Sequence, residues 1–187
     1  WGQQCLLARR LVESGVELVT TTLAGPICGR VQNWDDHAVN HHVFDAMKSR
    51  APFFDQAVAT LISEIFERGL DQKVMVIVTG EFGRTPKISY AADSNSGIMQ
   101  PGRDHWPRAT SLLFAGGGIR GGEVIGATDR RGEDVTERRV GVHDFLATVY
   151  RHLGVDPRPV QFQDFSGRPI PILSSGNSIP ELLGKPT

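Results

Sequence analysis

An uninterrupted apolar run at residues 74–78 constrains the fold more than any other feature of the sequence. The run reads Val-Met-Val-Ile-Val and ends at Thr79, and residues 111–115 repeat its character. Strands that are apolar on both faces are typical of parallel sheets, which are covered on both sides. Helix-like segments alternate with these strands, so the sequence predicts an α/β fold with a mainly parallel sheet flanked by helices.

The spacing of apolar residues places the elements of this predicted sheet. Pro52 suits the first turn of a helix, and Gly69 suits its end. A β-branched run after Gly15 indicates a strand. The predicted helices are residues 3–14, 52–68 and 143–153, and the predicted strands are residues 16–22, 74–79, 111–115 and 123–125.

Length and charge narrow the class of protein. The 187 residues suit a single α/β domain spanning 1–187. The net charge of −1 gives no sign of a nucleic-acid partner, and no apolar stretch approaches the roughly 20 residues of a membrane span. The two cysteines, Cys5 and Cys28, have no metal-ligand spacing and are expected to be free thiols. Because the chain starts at Trp1 within a helical pattern, we expect a processed protein or a fragment.

A histidine-rich loop holds the first candidate site. Asp35 and His37 lie in a polar segment at residues 24–42, followed by His41 and His42. Imidazole nitrogen and carboxylate oxygen together suit Zn²⁺, Mn²⁺ or iron. The alternative is a solvated loop in which the aspartates cap backbone amides.

The end of the strand at residues 74–79 holds the second candidate site. Glu81 and Arg84 follow Thr79, so a cation-binding carboxylate and a guanidinium for phosphate or sulfate stand side by side. The alternative is a Glu–Arg pair in a surface turn.

His105 is the third candidate, with Asp104 beside it as an outer-shell carboxylate. A purely structural histidine is the alternative. The glycine cluster at residues 116–122 formally satisfies G-x-G-x-x-G, but a strand and not a helix is predicted after it, so we interpret it as a flexible turn and not a dinucleotide site.

Three motifs in this order resemble an uncharacterised sulfatase-like family, domain of unknown function 1501. They are Trp-Asp-Asp-His at residues 34–37, Gly-Glu-Phe-Gly-Arg-Thr-Pro at 80–86 and Gly-Arg-Asp-His-Trp-Pro at 102–107. The family is usually placed in the alkaline phosphatase/sulfatase superfamily. The resemblance implies an alkaline-phosphatase-like fold of which this chain is the C-terminal half only, part of a longer sulfatase-like domain in a bacterial periplasmic or otherwise extracytoplasmic protein.

The resemblance also implies a function, namely metal-dependent hydrolysis of a small anionic phosphate or sulfate ester. Phe82 stands where the superfamily has a second histidine, so a second metal site is expected to be weak or absent. In the catalytic relatives the nucleophile lies in the N-terminal half, which this chain does not resemble. The resemblance therefore also implies that this chain alone is inactive. The implied ligands of a divalent metal, of the Zn²⁺ or Mn²⁺/Ca²⁺ type, are Asp35, His37, Glu81 and His105, and the implied catalytic residues are Arg84 and Arg103.

Two other functions remain open at this point. One is a non-catalytic extracytoplasmic binding or surface protein that retains the superfamily fold. The other is a loop-stabilising role, in which Asp35, Glu81 and Arg84 form a buried ion network.

The predicted parallel sheet also predicts how close together the candidate ligands lie. Strands 16–21 and 74–79 would end at the same edge, so Asp35, His37 and Glu81 are expected to cluster most tightly. His105 precedes its strand and is expected to approach from a lid-like loop at residues 87–107.

Overall fold

Two helices pack against each other to form the first part of the protein. A computed structural model describes residues 1–27, 30–159 and 161–183, so the prediction for Cys28 lies outside the described residues. The first helix carries the buried thiol of Cys5 towards the second, which contributes the buried Ala57, Val58 and Ile65. The helices are α1 at Gly2–Glu13, α2 at Val43–Glu67 and α3 at Val142–His152.

Helix α2 is longer than the sequence predicts. The sequence pattern starts the helix at Pro52, whereas the helix begins at Val43 and contains Pro52 in its interior. His42 caps it, because its side chain accepts a hydrogen bond from the backbone N–H of Asp45 at 3.3 Å. The prediction was wrong because proline is favoured in the first turn but is not confined to it.

Twelve short strands pair only in twos among the described residues. Each pair is antiparallel, and several are local hairpins. The strands are β1 at Gly25–Ile27, β2 at Arg30–Gln32, β3 at Met75–Val78, β4 at Gly83–Arg84, β5 at Ser89–Ala92, β6 at Met99–Gly102, β7 at His105–Trp106, β8 at Leu113–Gly116, β9 at Ala127–Thr128, β10 at Val135–Glu137, β11 at Gln161–Gln163 and β12 at Pro169–Pro171.

The apolar strand that guided the prediction forms one of these pairs. Strand β3 pairs antiparallel with β8, with Met75 opposite Gly116 and Val78 opposite Leu113. Helix α2 lies against this pair, and the buried Ile65 reaches the glycine end of β8. The four residues of β3 are half-buried, so the pair is covered less completely than a central parallel strand would be.

The predicted fold class is therefore wrong. The described chain has three α-helices and two-stranded antiparallel pairs with no extended parallel sheet, and this is not an alkaline-phosphatase-like α/β fold. The predicted strands at residues 16–22 and 123–125 belong to no helix or strand. Hydrophobic runs identify β3 and β8 but carry no information on strand direction, which depends on how the intervening chain returns.

Among the described residues, no helix combines sufficient length with sufficient apolar character to cross a bilayer.

Candidate metal centre

A two-residue β-ladder sets the position of His105. In the pairing of β4 with β7, Arg84 lies directly opposite His105 and Gly83 opposite Trp106. The ladder continues for one more hydrogen bond, in which the N–H of Thr85 donates to the carbonyl of Asp104 at 2.9 Å. The short ladder therefore fixes His105 at a defined distance from Arg84.

A buried ion pair anchors the loop that carries Asp35 and His37 to helix α2. Asp36, which is 5 % exposed, binds the guanidinium of Arg50, which is 1 % exposed and lies in the N-terminal third of α2. The same guanidinium lies over the Trp34 ring at 4.7 Å from its centroid. Because Asp36 is anchored inward, its two neighbours are free to present their side chains at the surface.

A close backbone contact joins this loop to the strand before β7. The N–H of Arg103 donates to the carbonyl of Asp36 at 2.9 Å. A Cβ built on Gly102 would lie 2.0 Å from the backbone nitrogen of Ala38, so only glycine permits this approach. The contact brings the loops of His37 and His105 together.

Three ligand-type atoms meet where these loops join. The Oδ1 atom of Asp35 lies 2.9 Å from Nε2 of His37 and 2.9 Å from Nε2 of His105. The two Nε2 atoms are 3.1 Å apart. Two atoms that each lie about 2.0–2.2 Å from a shared ion are at most about 4.4 Å apart, so these separations are compatible with one coordination sphere.

A second aspartate orients one of the imidazoles. Nδ1 of His37 lies 2.8 Å from Oδ1 of Asp104, which is hydrogen-bonding distance. When Nδ1–H donates to this carboxylate, Nε2 of a neutral His37 carries a lone pair directed at the cluster. Asp104 is adjacent to His105 in the sequence, but in the structure its carboxylate lies within hydrogen-bonding distance of His37.

The charges of the cluster lower the pKa of both aspartates. The hydrogen bond from His105 is the largest influence on Asp35 and holds its pKa below the usual range, and Arg84 adds to the effect against partial burial. The hydrogen bond with His37 lowers the pKa of Asp104 in the same way. Both carboxylates are therefore ionised at neutral pH.

A shallow cleft of about 320 Å³ opens beside the cluster. The Phe82 ring forms part of its wall and packs against the His105 ring, with centroids 4.3 Å apart. This contact restricts rotation of His105, although half of that side chain is exposed. The lining residues are Trp34, Asp35, Glu81, Phe82, Arg84 and His105.

The structure arranges the four sequence-predicted ligands differently from the geometric expectation. Asp35, His37 and His105 form the group whose ligand atoms all lie within 4.8 Å of one another, and Glu81 is not part of it. Glu81 is exposed and lines the cleft. The antiparallel ladder places His105 in the cluster, whereas the prediction assigned that position to Glu81 on the assumption of a parallel sheet edge.

The two arginines that the sequence assigns to catalysis both bind protein oxygens. Nη2 of Arg84 donates to the carbonyl of Trp34 at 2.7 Å and to Oδ1 of Asp35 at 3.0 Å. Nη1 of Arg103 donates to the carbonyl of Thr85 at 3.0 Å. Arg84 also faces the cleft, whereas Arg103 is not among the residues that line it.

Sequence reasoning missed Arg50 and Gly102, which position the cluster without entering it. Gly102 is the first residue of the third motif, so its place there marks it as a residue of interest, although the sequence does not show the backbone contact that requires glycine. Arg50 stands in a helical segment that the pattern assigned to no element, and nothing in its immediate sequence marks it as buried.

The fold and the site define an α+β protein with a surface cluster of two histidines and one aspartate. Residues 1–183 match the family described as "Protein of unknown function (DUF1501)", so the chain belongs to that family. No curated protein and no solved structure gives a significant match to the chain.

Proposed function

We propose that Asp35, His37 and His105 bind a divalent metal ion and that the cleft beside them takes a phosphate or sulfate ester for hydrolysis. The observation that carries the proposal is the meeting of three ligand-type atoms, 2.9–3.1 Å apart, that come from two distant parts of the chain. Two imidazoles and one carboxylate form a donor set that suits Zn²⁺ and Mn²⁺.

The spacing of the nitrogen and oxygen atoms in the cluster supports a cation at this place. With the proton of His37 on Nδ1, facing Asp104, its Nε2 has only a lone pair to offer Asp35 and His105. An acceptor nitrogen 2.9 Å from a carboxylate oxygen is repelled unless a positive charge lies between them. Such a charge is either a bound cation or an extra proton on a histidine.

The chain's own residues have separate parts in this proposed activity. A bound divalent ion supplies a Lewis acid that polarises an ester oxygen and lowers the pKa of water. Arg84 holds Asp35 in place and brings a positive charge to the cleft wall, where it favours an anionic substrate. Phe82 keeps the His105 ring in position. The choice of phosphate and sulfate esters rests on the motif resemblance to sulfatase-like proteins.

Metal binding is tested first, by isothermal titration of the metal-stripped protein with Zn²⁺ and with Mn²⁺. We expect one ion per chain and a loss of at least tenfold in affinity for Asp35→Ala and for His105→Ala. The matched controls are Asp156→Ala and His143→Ala, which change exposed residues outside the cluster. Unchanged affinity in both cluster variants would overturn the metal assignment.

Hydrolysis is tested next, with aryl phosphate and aryl sulfate monoesters. The expected result is turnover that a chelator abolishes and that added metal restores. Turnover that survives both the chelator and His105→Ala would assign the activity to another part of the protein.

The composition of the cleft favours a second candidate, a metal-binding protein without catalysis. None of the six residues that line the cleft has a hydroxyl or thiol side chain, so none of them offers a serine, threonine or cysteine nucleophile for a covalent mechanism. Tight metal binding without turnover of either ester would support this candidate over the hydrolase.

A further inference from the structure

The cleft beside the candidate metal centre is lined by few charged side chains. Asp35 and Glu81 each contribute one negative charge, Arg84 contributes one positive charge, and the two aromatic residues contribute none. His105 counts as neutral here, because histidine binds a metal ion through its uncharged ring. The side chains of the cleft therefore sum to one negative charge, so without a cation the cleft repels anions.

A divalent ion in the cluster reverses this sign. Two positive charges added to one negative charge leave the cleft with one positive charge. The neighbouring charged residues do not alter the balance, because Arg103 and Asp104 carry opposite charges and Asp36 is paired with Arg50. One positive charge complements a ligand with one negative charge and leaves a doubly charged ligand partly uncompensated.

Glu81 is the charge of this cleft that no partner neutralises. Asp35 is paired with Arg84 at 3.0 Å and lies 2.9 Å from Nε2 of His105. Glu81 is exposed, forms no ion pair with another described residue and is not part of the three-atom cluster. Because Coulomb repulsion scales with charge, Glu81 repels a dianion about twice as strongly as a monoanion.

We propose that Glu81 makes the site favour a singly charged ester over a doubly charged one. This inference rests on the proposed function and names the class of ester that the cleft accepts. A sulfate monoester and a phosphate diester each carry one negative charge at neutral pH, whereas a phosphate monoester carries about 1.5 to 2. Glu81 is therefore a specificity-determining residue, and phosphate monoesters are the disfavoured class.

The first test measures binding without turnover. Benzenesulfonate and phenylphosphonate share a ring and a tetrahedral anionic group, but at about pH 8 they carry one and close to two negative charges. In isothermal titration of the Zn²⁺-loaded chain, we expect benzenesulfonate to bind more tightly. Glu81→Gln is expected to improve phenylphosphonate binding relative to benzenesulfonate by about threefold or more. Glu17→Gln is the matched control, because Glu17 is exposed and lies outside the cleft, and it should leave this ratio unchanged.

Ionic strength separates a charge effect from a change of structure. Salt screens exposed charges, so the effect of Glu81→Gln on the ratio should shrink between about 20 mM and about 500 mM NaCl. Tighter binding of phenylphosphonate by the unmodified chain would overturn the proposal, as would binding of neither ligand. A ratio that Glu81→Gln leaves unchanged, or changes equally at both salt concentrations, would overturn it as well.

Turnover distinguishes failure of this inference from failure of the proposed hydrolysis. The substrates are 4-nitrophenyl sulfate, bis(4-nitrophenyl) phosphate and 4-nitrophenyl phosphate, and we expect kcat/KM to be lowest for the last. Comparison of the first two shows which singly charged ester the site prefers. A charge preference in binding without turnover of any ester would refute the hydrolase and support the role of Glu81. Turnover in which 4-nitrophenyl phosphate is the best substrate would support the hydrolase and refute the role of Glu81.

Discussion

Replacing Gly102 by alanine separates the two loops that form the candidate site. The added Cβ would lie 2.0 Å from the backbone nitrogen of Ala38 and 2.6 Å from its Cα. Both obstacles are backbone atoms, so no side-chain rotation relieves the clash. The loop that carries His37 must therefore move away from the strand that leads to His105.

The size of the effect follows from these distances. Ordinary contact needs about 3.4 Å, so the loops must part by about 1.4 Å, an overpacking that costs about 1–3 kcal/mol of unfolding free energy. For a chain of this size, that loss lowers the melting temperature by about 2–12 °C. The same movement widens the 2.9–3.1 Å separations across the cluster to about 4.3–4.5 Å, the limit for one shared ion.

The assay combines thermal unfolding with metal titration of Gly102→Ala. We expect a lower melting temperature and a metal affinity reduced by about tenfold or more. Gly121→Ala is the matched control, because its added Cβ meets nothing within 4 Å, and it should change the unfolding free energy by less than about 0.5 kcal/mol. If Gly102→Ala kept both the stability and the affinity of the unmodified protein, the argument that this glycine holds the two loops together would be wrong.

Three further predictions concern the charged groups around the cluster. Asp35 and Asp104 have pKa values below the usual range, so the stability that they contribute is present above about pH 4 and is lost as the pH falls through their lowered pKa values. Urea unfolding between pH 6 and pH 2.5 measures this loss, and an unfolding free energy that does not change with pH would contradict it. Asp104→Asn removes the carboxylate that orients His37 and should weaken metal binding about 10- to 100-fold with Asp35 intact, as titration would show. Arg50→Ala leaves Asp36 buried without its partner and should cost about 3–5 kcal/mol in denaturant unfolding, whereas a loss below about 1 kcal/mol would mean that the pair is not a structural anchor.

The sequence predicted the local elements better than their arrangement. The helix predicted at residues 143–153 is Val142–His152, and the strand predicted at 74–79 is Met75–Val78. Both segments have a strong apolar pattern, and such a pattern is enough to identify a helix or a strand without knowledge of the rest of the fold. The strand predicted at residues 16–22 has an equally clear pattern but no pairing partner in the described chain, and β-propensity alone does not form a sheet.

The same distinction applies to the candidate site. Metal-ligand residue types were visible in the motifs, so Asp35, His37 and His105 could be proposed from the sequence. Their grouping without Glu81 depends on the antiparallel register that sets Arg84 opposite His105, which no local pattern encodes. The contribution of Gly102 depends on a backbone contact with a loop more than 60 residues away in the sequence.

The long separation between the two halves of the cluster has a consequence for the order of folding. His37 and His105 are 68 residues apart, whereas β5 and β6 form a hairpin from neighbouring residues. Local hairpins and helices form before contacts that require a long loop to close. We therefore expect the cluster to be among the last parts of the protein to assemble. The two-residue strands β4 and β7 that hold it are expected to open before helix α2 does, and to exchange their amide hydrogens faster.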